Sequence, residues 1–208
     1  MAVPDSSAVW LFCLAAAALL AIPGPAVLYI VVQSAEQGRR AGLASVAGIH
    51  VGSLVHVAAA TVGLSALIVA SAVAFSVVKF AGAAYLVYLG VRKLLERPVV
   101  TEAGRAPPEP LRRSFTRGIV VNVLNPKTAL FFLAFLPQFV DRGRGDVWSQ
   151  VLVLGLLFVL LGLASDSLYA LAAGTVGGLI RRRRTALRYG SGAVYIGLGA
   201  LAAFARRA

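Results

Sequence analysis

The hydrophobic positions of this chain lie in long blocks, and the charged positions lie in short runs between those blocks. An α-helix rises about 1.5 Å per residue, so roughly 20 residues cross the ~30 Å hydrocarbon core of a bilayer. No charged residue occurs between Gly42 and Val78, so the turn within that stretch has to fall among small residues near Ala70–Ala74, and a five-span interpretation stays open there. The pattern predicts six transmembrane helices near residues 8–34, 42–68, 72–92, 115–139, 148–178 and 189–205.

Composition supports an all-α integral membrane protein. Of the 208 residues, 59% are hydrophobic and only 13% are charged, whereas soluble domains carry about 25% charged residues. The formal net charge of +12 raises the possibility of nucleic-acid binding. The arginines are not interleaved with aromatic residues or gathered on a recognisable binding module, so no nucleic-acid partner is predicted. The basic residues are better explained by orientation in the membrane.

The distribution of basic residues predicts that orientation. Lys and Arg accumulate in cytoplasmic loops. On the six-span arrangement, the connections after the first, third and fifth spans hold 14 basic residues, and the opposite side holds four. Both termini are therefore expected outside the cytoplasm. The 14 residues are Arg39, Arg40, Arg92, Lys93, Arg97, Arg105, Arg112, Arg113, Arg117, Arg181, Arg182, Arg183, Arg184 and Arg188, and the four are Arg142, Arg144, Arg206 and Arg207.

The chain divides into two halves of three spans each. Residues 96–113 hold four of the nine prolines with mixed charge, which predicts an extended cytoplasmic linker. GAAYL from Gly82 recurs as GAVYI from Gly192, and TVGL from Thr61 recurs in part as TVGG from Thr175. Because three is odd, a duplicated half enters the membrane in the opposite direction, as in many secondary transporters. We expect inverted repeats at residues 1–95 and 114–208.

Each half carries a proline interruption in its first span, AIPGPAVLY in one and VLNPKTALF in the other. Proline removes a backbone donor and clashes with the preceding helical turn, which leaves carbonyls and amides unpaired. Such a break is tolerated at membrane depth where it faces protein or a watery cavity. Ordinary proline kinks with no function are the alternative. The matched placement of the two interruptions instead predicts a substrate site, in which a lysine adds a cation for a carboxylate. The residues of this site are Pro23, Gly24, Pro25, Asn125, Pro126 and Lys127.

Other polar residues within the spans are candidates for moving protons. Asp166 is the acid within a predicted span, and an intramembrane carboxylate marks a functional site by default. Its alternative role is a structural partner of Lys127 or of a neighbouring serine hydroxyl. His50 and His56 share the second span but lie about 240° apart on a helix, so no metal site is predicted from them and both are expected to hydrogen-bond within the bundle. Lys79 is expected to reach the outer interface.

Two glycines in the second span have the spacing of a helix-packing motif. Gly48 and Gly52 form G-x-x-x-G, which allows two helix backbones to approach closely. We expect packing rather than chemistry at these positions.

Three segments resemble the LysE/RhtB family of amino-acid exporters: PGP at Pro23–Pro25, KFAGAAYLVYLGVRKL at Lys79–Leu94, and FTRGIVVNVLNPKTALFFLAFLPQFV at Phe115–Val140. The resemblance covers nearly the whole chain. It implies a multi-pass protein of the bacterial inner membrane that exports amino acids, driven by the proton motive force as an antiporter. It also implies that the family's Asn-Pro-Lys and Pro-Gly-Pro motifs fall on Asn125–Lys127 and Pro23–Pro25.

Other functions agree less well with the residues. A metal-cation exporter needs several membrane carboxylates or thiolates, and Asp166 with Cys13 does not suffice. An intramembrane hydrolase needs a nucleophile beside a base, and neither a G-x-S-x-G motif nor an evident serine partner for a histidine is present, so an enzyme is not expected. A membrane scaffold would leave the paired breaks unexplained. No cofactor is predicted. Asp166 is the buried acid that could balance a cationic side chain, so the expected substrate is a neutral or hydroxylated amino acid or a related derivative. Which amino acid is exported and whether the protein forms a homo-oligomer stay open.

Overall fold

The computed structural model describes residues 4–64, 72–95 and 109–173, with single positions at 189, 193, 196, 197, 200 and 203. The regular elements of this described part are all helical, and it holds no strand. Its α-helices are α1 (Ser6–Leu20), α2 (Pro25–Gln37), α3 (Arg39–Ala59), α4 (Ala72–Leu95), α5 (Leu111–Val123), α6 (Pro126–Leu130) and α7 (Val147–Leu171). A short π-helical segment, Ala60–Leu64, follows α3, and another, Phe131–Phe135, follows α6; 3-10 turns lie at Leu136–Phe139 and Arg142–Arg144.

Two single helices and two bent helix pairs are long and apolar enough to cross a membrane. The single helices are α3 with its π-helical extension, Arg39–Gly63, and α7, each of 25 residues. The bent pairs are α1 with α2, at 52°, and α5 with Pro126–Phe139, at 45°. The breaks predicted from the prolines in the first and fourth spans are therefore confirmed, and the described residues hold between two and four candidate spans.

Several predicted boundaries shift or lie outside the description. Helix α5 begins at Leu111, so the last residues of the expected 96–113 linker are helical. Helix α4 begins at Ala72, and the preceding residues 65–71 lie outside the described part, as do residues 96–108. The second copies of the repeated sequences, in the second half of the chain, also fall largely on residues that are not described.

The two breaks arise from local chain chemistry. Helix α1 ends at Leu20, and Gly24 in extended conformation precedes Pro25, the first residue of α2. Asn125 precedes Pro126, the first residue of α6, and its side-chain Oδ1 accepts a hydrogen bond from the Lys127 backbone N–H at 3.1 Å. Proline is favoured at the first helical position because it lacks the N–H that would be unpaired there. Pro25 and Pro126 thus each begin the second half-helix of a bent pair.

Close backbone contact joins α3 to α5. A Cβ atom added at Gly48 would lie 2.0 Å from the carbonyl oxygen of Phe115, and one at Gly118 would lie 2.6 Å from the carbonyl oxygen of Ser45. At Gly52 the nearest atom, the carbonyl oxygen of Ile119, would be at 2.9 Å. The packing role predicted for Gly48 and Gly52 is confirmed.

Substituting Gly48 by alanine should destabilise the protein. The added methyl group meets a backbone oxygen, which cannot move aside as a flexible side chain can, so α3 and α5 must separate. Overpacking of this kind costs about 1–3 kcal/mol. The thermal unfolding midpoint of the purified protein in detergent measures the effect. Gly63→Ala is the matched control, since no atom lies within 4 Å of its added Cβ, and an equal midpoint for the two variants would contradict the close contact.

An aromatic cluster packs α1 against the second half. Phe12 of α1 lies against Phe131, with ring centroids 5.6 Å apart, and Phe131 lies 4.8 Å from Phe158 of α7. Phe135 and Phe139 extend the cluster along the segment after α6. Aromatic pairs at such distances add to the stabilisation that burial provides. The cluster fixes α1, the segment 131–139 and α7 to one another.

The outer surface of the bundle is apolar. Trp10 is 71% exposed, Leu160 is 62% exposed and Leu168 is 68% exposed. Apolar surface of this extent is rare on water-soluble monomers. The helices satisfy their own backbone hydrogen bonds, as contact with lipid requires, so these side chains are suited to face the bilayer.

Candidate functional site

Lys127 connects the two breaks. Its side chain is only 7% exposed, and Nζ donates hydrogen bonds to the carbonyl oxygens of Leu19, at 2.7 Å, and Ile22, at 2.8 Å. Gly24 lies against the lysine stem, since a Cβ there would be 3.2 Å from Cδ. The expectation that Pro23–Pro25 and Asn125–Lys127 face one another agrees with these contacts.

The lysine contacts follow from the way α1 ends. The last carbonyls of a helix have no intrahelical donor and form the negative end of its dipole. The Lys127 ammonium binds two carbonyls of this first break, and the Tyr169 hydroxyl donates to a third, that of Ala21, at 2.8 Å. Three carbonyl oxygens at the first break are thus paired with side-chain donors.

A buried hydrogen-bonded pair joins α3 to α7. His50 Nε2 is 3.1 Å from Asp166 Oδ2, and both side chains are almost fully buried. Gly162 lies one helical turn before Asp166, and a Cβ there would be 2.5 Å from His50 Cε1, so the glycine makes room for the ring. Within the described part of the chain, His50 Nδ1 and Asp166 Oδ1 have no hydrogen-bond partner. Each group of the pair keeps one buried polar atom available to a proton or a water.

Asn122 organises the polar wall between α3 and the second break. Its amide nitrogen donates to the carbonyl oxygen of Ile49 and to Ser53 Oγ, both at 2.9 Å, and its Oδ1 accepts from Thr128 Oγ1 at 2.9 Å. Asn125 Nδ2 lies 3.4 Å from the same oxygen. Sequence reasoning missed Asn122, although an asparagine three residues before Asn125 in an apolar span was a visible signal.

His56, the remaining histidine candidate, hydrogen-bonds to the backbone of α5. His56 Nε2 lies 3.0 Å from the backbone carbonyl oxygen of Asn122, and its ring stacks on Phe132. The expected hydrogen bonding of both histidines within the bundle is confirmed. Lys79 belongs to α4. Within residues 4–64, 72–95 and 109–173, no three His, Cys, Asp or Glu residues are placed to hold a metal ion.

These groups surround a cavity of about 30 Å³. Its wall includes Gly24, Asn125 and Lys127 from the two breaks and His50 and Asp166 from the hydrogen-bonded pair. A cavity of this volume holds about two water molecules. Among the described residues this space is smaller than even the smallest amino acid, so we call this conformation closed, and a solute of that size requires the described helices to separate.

Similarity to known proteins extends over nearly the whole chain. Residues 17–206 match the family model described as LysE type translocator. The homoserine/homoserine lactone efflux protein of Salmonella typhimurium is 32% identical over 202 residues, which cover 96% of this chain and 98% of that protein. An uncharacterized membrane protein of Vibrio cholerae is 31% identical over 201 residues, covering 95% and 98% respectively.

A shorter similarity extends to a third protein. The leucine efflux protein of Salmonella choleraesuis is 32% identical over 135 residues, 64% of this chain and 63% of that protein. No solved structure matches.

Proposed function

The chain belongs to the LysE type translocator family, and from that premise we propose that it exports amino acids with uncharged side chains through the cavity between its two helix breaks. It is a membrane transporter of amino acids and not an enzyme. The observation that carries the proposal is the buried ammonium of Lys127, held where both broken helices meet. A cation at this position can bind the carboxylate that all amino acids share.

The charges of the cavity favour an uncharged substrate side chain. Asp166 is the acid among the residues that line the cavity, and His50 already pairs with it. A lysine or arginine side chain would bring a second cation into a site that already holds Lys127, without a free carboxylate to balance it. The relatives named for homoserine, homoserine lactone and leucine efflux agree with this selection.

The first break offers positive groups for the carboxylate of the substrate. The N-terminus of α2 at Pro25 presents unpaired amides and the positive end of a helix dipole. Lys127 lies beside Gly24, so its ammonium and these amides can bind one carboxylate together. Pro23, Pro25 and Pro126 act through the backbone, while Gly24, Asn125 and Lys127 line the cavity.

Proton antiport is the proposed energy source. The chain has no G-x-x-x-x-G-K-[ST] phosphate loop for nucleotide hydrolysis. The His50–Asp166 pair is buried beside the substrate cavity, and both groups can exchange a proton. A proton that enters from outside and binds the Asp166 carboxylate removes its negative charge, which weakens its attraction to nearby cations, and its release inside follows discharge of the substrate. His56 is the second candidate, through Asn122.

Six spans in two inverted repeats are the proposed full architecture, with α4 as the third span. Both termini are proposed to lie outside the cytoplasm of a bacterial inner membrane. A salt bridge of 2.9 Å joins Asp5, before α1, to Arg144, before α7, which agrees with one shared side for these two loops. The hydrogen bonds of Ser7 and the charge of Arg144 lower the pKa of the Asp5 carboxyl, so the pair stays ionised at neutral pH.

Site-directed labelling tests this orientation. A single cysteine at Asp146, in a Cys13→Ser background, should react with a membrane-impermeant maleimide added to intact cells. A cysteine at Glu102, in the basic linker, should react only after the cells are lysed. The reverse pattern of labelling would overturn the orientation.

Export assays test the substrate class. In a strain lacking its own amino-acid exporters and supplied with dipeptides, expression should raise external leucine, threonine or homoserine by about tenfold over an empty vector, with lysine and arginine unchanged. Amino acids in the medium are measured by mass spectrometry. The dipeptides of lysine and arginine provide the matched control for uptake and hydrolysis. Preferential export of a basic amino acid would contradict the proposal.

A further inference from the structure

We propose that the carbonyl oxygens of Leu19 and Ile22 are the binding site for the α-ammonium group of the substrate, and that Lys127 occupies this site in the closed conformation. The proposal deepens the amino-acid export argued above and rests on it. It assigns separate positions to the two charges of the substrate: the ammonium at the end of α1, and the carboxylate at the start of α2.

The geometry around Lys127 Nζ suits a primary ammonium. Two carbonyl oxygens approach it at 2.7 Å and 2.8 Å, which are short distances typical of charge-assisted hydrogen bonds. The lysine head and the α-amino group of an amino acid are the same chemical group, a tetrahedral nitrogen with three N–H donors. A site that binds the one is therefore chemically complementary to the other.

The first break also matches the separation of charge in an amino acid. Helix α1 ends at Leu20 and α2 begins at Pro25, so the negative pole of one helix and the positive pole of the next are separated only by the chain between them. The ammonium and carboxylate of an amino acid are joined through a single carbon. A zwitterion placed across the break has each charge next to the helix end of opposite sign.

Binding by this route exchanges one ammonium for another. When the substrate arrives, Lys127 leaves the two carbonyls and follows the carboxylate, while the substrate ammonium takes its former position. Neither buried carbonyl loses its donor at the end of the exchange, so the cost of an unpaired polar group is avoided. Gly24 leaves space beside the lysine stem, and no side chain there blocks its movement.

This arrangement predicts how the two fragments of a substrate bind. An amine without a carboxylate should bind the wild-type protein weakly, because it displaces Lys127 and leaves two buried cations without a carboxylate. A carboxylic acid without an amine should also bind weakly, because Lys127 must leave the two carbonyls and no ammonium replaces it. If the carbonyls serve only to complete the backbone hydrogen bonding of the break, the acid should bind as tightly as the amino acid.

The test uses the purified full-length protein in nanodiscs and isothermal titration calorimetry. The probes are leucine, 3-methylbutylamine, which is leucine without its carboxylate, and 4-methylpentanoate, which is leucine without its amine. We expect leucine to bind the wild-type protein at least about tenfold more tightly than either fragment. Binding of the acid as tight as that of leucine would overturn the ammonium site.

The Lys127→Met variant sharpens the result. The variant loses the partner of the carboxylate but leaves the carbonyls without a competing ammonium, so the affinity for leucine should fall while that for 3-methylbutylamine should rise by about tenfold over wild type. An affinity of the folded variant for the amine no higher than that of wild type would overturn the proposal. If the variant does not fold, the comparison of leucine and the acid on wild-type protein decides alone. Amine binding without export of any amino acid by cells would instead refute the proposed function.

Discussion

Export of amino acids should fall by about 100-fold or more when Lys127 is replaced by methionine. Methionine keeps much of the length and apolar stem of lysine but has no charge and no donor. The substrate carboxylate then lacks its cation, and the carbonyls of Leu19 and Ile22 lose their shared donor, although the Leu19 carbonyl still accepts from the Ile22 N–H at 3.2 Å. An unpaired buried carbonyl costs about 1–3 kcal/mol, so a lower unfolding midpoint is expected beside the transport defect.

Two further substitutions separate charge from geometry in this experiment. Lys127→Arg should also fail to export, since a planar guanidinium does not place one nitrogen between two carbonyls beside Gly24. Lys93→Met, at the predicted cytoplasmic end of the third span, is the matched control and should export normally. Export is normalised to the amount of protein in the membrane by immunoblot. Wild-type export by Lys127→Met would reduce this lysine to a structural donor.

Replacing Asp166 by asparagine should stop export against a gradient while exchange of substrate down its gradient continues. Asparagine has nearly the same shape and can still hydrogen-bond to His50 Nε2, so the packing around Gly162 is kept. It cannot take up or release a proton near neutral pH. In proteoliposomes, a pH gradient should therefore no longer drive accumulation of labelled amino acid, whereas counterflow at equal pH should stay within about threefold of wild type.

The control for that measurement lies on the same helix. Asp146→Asn changes an exposed acid at the start of α7 and should leave both activities unchanged. Proton-driven accumulation by Asp166→Asn at the wild-type rate would exclude this carboxylate as the proton carrier. His50 or His56 would then be the candidate proton carrier.

The two helix breaks and their proximity could be predicted from local sequence, because proline and glycine change the backbone conformation at their own positions. Matched prolines in two apolar spans predicted both bends, and the buried lysine beside one of them pointed to the shared cavity. The partners of Lys127 were less visible. They are backbone carbonyls more than a hundred positions away in the chain, and any residue type could supply them.

The His50–Asp166 pair could not be predicted from spacing. The two residues are 116 positions apart, and their contact depends on how α3 packs on α7 at Gly162. The sequence placed both in membrane spans, and it suggested Lys127 or a serine as the acid's partner instead. The role of Asn122 has a related explanation. Its partners lie on α3 and α6, so a single asparagine in an apolar span does not show from the sequence which groups it joins.

The two breaks also divide the molecule mechanically. The aromatic cluster holds α1 with segment 131–139 and α7, whereas the glycine contact holds α5 with α3, which a single residue, Gly38, connects to α2. Each bent span thus contributes one half to each group of helices, and the two groups meet where α3 packs on α7 at Gly162 and Gly155. Bending at residues 21–24 and 124–125 would break the Lys127 contacts together with this α3–α7 packing, so these short stretches are natural hinges, and the lysine is a latch between the halves they join.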